Sequence, residues 1–63
     1  MKFVIRRARR GLLKRNQWMF RIVAANGRVL AVSESYNNRA DCEQTVAGII
    51  FEARDAPVEL DAP

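Results

Sequence analysis

The sequence predicts an α+β fold: an antiparallel three-stranded meander, one helix on one face of it, and a short C-terminal strand. Three observations carry that prediction. Trp18 to Ala25 alternates with period two and leads through Asn26-Gly27 into a second β-prone run. Asn38 and Asp41 stand three apart, just ahead of an apolar stripe at helical spacing. The chain has 63 residues, enough for one domain and too few for a large interior of its own.

Taken in order, Phe3-Val4-Ile5 is a β-prone run and predicts a first strand over about Lys2 to Arg7. A basic loop follows at about 8–16, with Arg9, Arg10, Gly11, Lys14, Arg15 and Asn16. Leu12 and Leu13 within it either pack back onto the sheet or form an exposed apolar tip. In the second strand Trp18, Phe20, Ile22 and Ala24 point one way, and Met19, Arg21, Val23 and Ala25 the other. Asn26-Gly27 fits a two-residue type I′ loop, which needs positive φ at both central positions. That turn would set Ala25 opposite Arg28, Ala24 opposite Val29, Ile22 opposite Ala31 and Phe20 opposite Ser33. Trp18, Phe20, Ile22, Ala24, Val29 and Ala31 then share the expected core face, and a one-residue slip would bury Arg21 and Arg28 instead.

Asn38 is the expected helix N-cap, with Asp41 reaching back to it and its charge suiting the helix dipole. The helix should run to about Ala53 or Arg54 and bury Cys42, Val46, Ile49 and Ala53, with Thr45 and Ile50 beside them. Gly48 in its interior costs about 1 kcal/mol against alanine and is read as a close approach to the sheet. Phe51 falls off the stripe. Ala56-Pro57 ends the helix, and Val58-Glu59-Leu60 alternates as a three-residue strand that needs an existing sheet edge.

Composition narrows the function classes. Cys42 is the only cysteine, so one chain holds no disulfide, and with no histidine there is no evident metal-ligand set. A partner chain is the remaining way for so short a domain to gain stability. No signal peptide or membrane-spanning run is read, and a single free thiol fits a cytoplasmic setting. The net charge of +4 is segregated: residues 1–33 hold nine basic side chains and no acidic one, residues 34–63 two basic and seven acidic.

The basic run is the sharpest functional hint. Arg6, Arg7, Arg9, Arg10, Lys14 and Arg15 could contact phosphates, with Trp18 stacking on a base; against this, Trp18 falls on the expected core face and no nucleic-acid-binding motif is present. Cys42 is read as a small buried residue, since nothing present would activate it. Ser33, Glu34 and Tyr36 offer no recognisable acid/base pair, and Gly11, Gly27 and Gly48 form no phosphate-cradling loop. No catalytic residue, metal or cofactor is expected.

The stretch from Phe20 to Tyr36 resembles the YegP-like family of small bacterial proteins. The family pattern runs Arg-Leu-Lys-Ala-x-Asn-Gly, an apolar pair, then Ser-Glu-Gly-Tyr. Arg39-Ala40 matches the Lys-Ala pair that opens its helix; Cys42, Glu43, Val46 and Ile49 fall where it has Cys or Ala, Glu, Ile and Val. Phe3 and Ile5 match its first strand, so the likeness covers Phe3 to Leu60. The resemblance implies a β-β-β-α-β unit, two of which build one sheet and exchange their C-terminal strands. A chain with one unit would form a homodimer, and Val58 and Leu60 would then be dimer contacts. The family's biochemical function is not established. Three departures stand out: the loop after the first strand is about five residues longer and more basic, Ser35 replaces a glycine, and Ile50 and Phe51 replace lysines, which suggests an added apolar contact. The leading expectation is a homodimeric structural or interaction protein without chemistry of its own. The alternative is a nucleic-acid-binding module that uses the basic loop.

Overall fold

The computed structural model describes residues 1–8 and 17–61. Strand β1 (Lys2–Ala8) pairs antiparallel with β2 (Gln17–Val23), and β2 pairs antiparallel with β3 (Val29–Val32). Helix α1 (Arg39–Ala53) follows. The sheet order is β1-β2-β3, so β2 is central and, among the described residues, neither β1 nor β3 has a second neighbour. The meander and the helix match the expected α+β fold. Residues 57–61 take no regular structure, so Val58 to Leu60 form no strand with their own chain. Three strands are thus formed among the described residues, not four. Leu12, Leu13 and the rest of the basic loop from Arg9 to Asn16 lie outside the described residues.

β1 faces β2 in unbroken register from Lys2↔Val23 to Ala8↔Gln17. The β2–β3 pairing is interrupted at each end. Arg21 faces Val32 and Ile22 faces Ala31, but a bulge between Ile22 and Val23 then sets Val23, not Ala24, opposite Val29. The turn departs from the expected type I′ loop. Gly27 has φ +87°, and no other described residue has positive φ. Gly27 N–H donates to Ala24 C=O (2.9 Å), and Ala24 N–H donates to Arg28 C=O (2.8 Å). That is a three-residue hairpin loop, a type I turn closed by a left-handed glycine. Asn26 serves through its side chain: its Oδ1 accepts from Arg28 N–H at 3.0 Å.

At the other end Phe20 faces Ser33 as expected, but the hydroxyl replaces a backbone group. Ser33 N–H donates to Phe20 C=O, while Phe20 N–H donates to Ser33 Oγ, both at 2.9 Å. Ser33 Oγ in turn donates to Glu34 C=O at 2.8 Å. Glu34 and Ser35 then oppose the single residue Met19, and pairing resumes as a two-way bridge between Trp18 and Tyr36 at 2.8 and 2.7 Å.

The helix starts where Asn38 predicts. Asn38 Oδ1 accepts from Asp41 N–H at 2.9 Å. The return contact differs from a capping box, because Asp41 Oδ2 accepts from the Asn38 side-chain amide (3.1 Å) and not from its backbone. α1 lies across β1 and β2 and does not reach β3. Phe20, Cys42 and Val46 are buried at the centre, with Phe3, Ile5, Trp18, Ile22, Tyr36 and Ile49 packed around them. The Phe20 ring lies 6.1 Å from that of Phe3 and 6.3 Å from that of Tyr36. The core face therefore differs from the expected one: Phe3 and Ile5 belong to it, while Val29 and Ala31 are exposed. The reason is lateral, since a helix seated over β1 and β2 leaves β3 bare.

Candidate functional site

Two surfaces stand out. The first lies at the end of the sheet where β1 finishes and β2 begins. Arg7 is in register with Trp18, and its guanidinium carbon sits over the indole, 5.1 Å from the ring centroid. The Trp18–Tyr36 bridge brings in the segment that leads to Asn38 and the start of α1. The first helical residue, Arg39, places a second guanidinium over the same ring at 5.6 Å. Each such contact is worth about 0.5–1 kcal/mol at an exposed site and restrains a long side chain. Arg39 also meets Glu43 at 3.4 Å, with both side chains more than half exposed. Trp18 packs against the core, as its place on the expected core face implied, and its ring also carries two guanidiniums. Arg6 and Arg7 are exposed; Arg9, Arg10, Lys14 and Arg15 lie outside the described residues. Arg39 was not among the sequence candidates, because nothing in its local sequence ties it to a residue 21 positions earlier.

The second surface is apolar. All four residues of β3, Val29-Leu30-Ala31-Val32, are exposed on both faces of the strand. Ile50 and Phe51 are exposed on α1, and Phe51 is 85% accessible. Val58 and Leu60 are 90% and 85% accessible. Open clefts flank the helix. One is lined by Thr45, Gly48, Ile49 and Glu52, the other by Met1, Phe3, Ile50 and Arg54. A Cβ built on Gly48 meets nothing within 4 Å, so this glycine does not mark a close approach to the sheet, contrary to expectation.

The remaining candidates are held in the fold as follows. Cys42 is fully buried; desolvation raises its thiol pKa above the ordinary value, and the Glu43 carboxylate adds to the rise. A protonated, enclosed thiol is a poor nucleophile. Tyr36 spends its ring on Phe20, and Ser33 spends its hydroxyl on the ladder. No helix among the described residues is long and apolar enough to cross a membrane.

Among the described residues, a three-stranded meander carrying one capped helix, with an arginine-flanked tryptophan, defines a small α+β domain. Residues 14–59 match the family described as "Domain of unknown function (DUF1508)", and the chain belongs to it; the YegP-like family is this same family. A UPF0339 protein of Treponema denticola is 40% identical over 45 residues, covering 71% of this chain and 78% of that protein. No solved structure matches.

Proposed function

We propose that the protein is a homodimeric interaction module without chemistry of its own, in which each copy lends its C-terminal residues to the sheet of the other. The observation that carries this reading is the pairing of two incomplete parts in one chain. A tail with Val58 and Leu60 bare ends the described chain, and an all-apolar edge strand is exposed with no second neighbour among the described residues. Val58-Glu59-Leu60-Asp61 alternates apolar with acidic, the pattern of a strand with one face buried. Phe20, Val23, Cys42 and Val46 are the buried hydrophobics among the described residues, a small interior for 63 residues. A reducing, cytoplasmic setting suits the single buried thiol. Removing the residues after Ala56 should lower both thermal stability and sedimentation-derived mass. A truncated chain that remains dimeric and equally stable would refute strand exchange.

A second reading, contact with nucleic-acid phosphates through Arg6, Arg7, Arg9, Arg10, Lys14 and Arg15, is favoured by one observation. The described part of that run, Arg6 and Arg7, is exposed, and Arg7 is stacked in place on Trp18. If it holds, retention on DNA or RNA falls steeply as salt rises and is lost when Arg9 and Arg10 are neutralised.

A further inference from the structure

We infer that Arg7 and Arg39, both stacked on Trp18, form a two-guanidinium fork that grips the phosphates of a nucleic-acid backbone. The inference rests on the second reading above and extends it to a residue outside the basic run. Three elements converge to make the fork: β1 supplies Arg7, β2 supplies Trp18, and α1 supplies Arg39. The placement of Trp18 is firm, since its backbone exchanges two hydrogen bonds with Tyr36 and its side chain packs against the core. Guanidiniums held on a rigid ring lose less freedom on binding than free ones, and their planar donors match phosphate oxygens. Each guanidinium on the ring keeps donors that an anion can satisfy. Glu43 does so in part for Arg39 at 3.4 Å. Arg7 has no carboxylate within ion-pair distance among the described residues, and the first 33 residues contain none.

The surroundings favour a nucleic acid over a lipid surface. Met1, Ile50, Ala53 and Arg54 line one cleft together, so the exposed Ile50 lies by the start of β1, at the far end of that strand from Arg7. The neighbour of Arg7 in sequence is the exposed cation Arg6, and the chain continues from Ala8 into the basic run. The fork is directed at phosphate oxygens and reads no base edge. Binding should therefore be independent of base sequence, positioned by phosphates alone.

The test uses the intact chain, a fluorescein-labelled mixed-sequence DNA duplex and titrations at several salt concentrations. Trp18 is the only tryptophan, so its emission reports on the fork directly. Intact protein should bind with a Trp18 emission change. Arg39→Gln should weaken binding several-fold and reduce the slope of log affinity against log salt by about 1. Glu43→Gln should tighten binding by freeing Arg39. Circular dichroism of each variant guards against misfolding. If Arg39→Gln leaves affinity and slope unchanged while neutralising Arg9 and Arg10 abolishes binding, the fork is refuted and the basic-run reading stands. No binding by intact protein overturns both. Preferential retention on anionic phospholipid vesicles overturns the nucleic-acid assignment. Loss of self-association in Arg39→Gln, with DNA binding intact, reassigns the fork to the acidic tail of a second copy and also refutes it.

Discussion

Ser33 shows how one side chain can fix a fold. Its hydroxyl accepts from Phe20 N–H where the ladder would otherwise offer a carbonyl, and that substitution lets the chain step out by one residue before Tyr36 re-pairs. Ser33→Ala leaves Phe20 N–H without its acceptor beside the core. It should cost about 1–3 kcal/mol, read as a lower urea midpoint at fixed protein concentration. Cys42 offers a second check. Its thiol pKa is raised by burial and by Glu43, so the folded chain holds the proton to higher pH than the unfolded chain does. The resulting stability is complete below the ordinary thiol pKa and is lost as pH climbs through the raised value. Melting temperature should therefore fall across that alkaline interval more steeply in the native protein than in Cys42→Ala. Native-state alkylation at neutral pH should be slow and should accelerate in denaturant.

The elements differ in how openly the sequence announced them. The helix start was legible because Asn38 caps in the way asparagine caps, through its own side chain. The pairs Ile22–Ala31 and Phe20–Ser33 stand where the assumed two-residue turn set them, because the bulge between Ile22 and Val23 offsets the extra residue of the actual three-residue loop. The turn type was not, because Asn-Gly serves equally well at the centre of a type I′ loop and as the last two residues of a bulged one; only the sign of φ at Asn26 separates them. The bare state of β3 was hidden for another reason. Periodicity says which residues share a face, but not how far sideways a helix sits across the strands. Arg39 beside Trp18 was hidden likewise, since their meeting depends on the Tyr36 bridge. Gly48 now carries its own prediction: its side-chain position opens into a cleft, so Gly48→Ala should stabilise the helix by about 0.5–1 kcal/mol in chemical denaturation.

At the scale of the whole molecule, charge and apolar surface are partitioned. The basic half supplies the sheet and the acidic half the helix and tail, so two copies related by a two-fold axis can set the acidic tail of one against the basic sheet of the other. If folding is completed by a second copy, melting temperature rises with protein concentration, and a hundredfold dilution lowers it measurably. A melting temperature independent of concentration across that range would speak for a self-sufficient monomer.

The unshielded Val-Leu-Ala-Val edge has a consequence for handling and for the cell alike. Among the described residues a solitary copy leaves this short, uncharged, proline-free strand without a second neighbour, so the edge of a like copy can pair with it. Its expected mode of failure is fibrous precipitation rather than quiet unraveling, so keeping subunits matched would also keep them in solution.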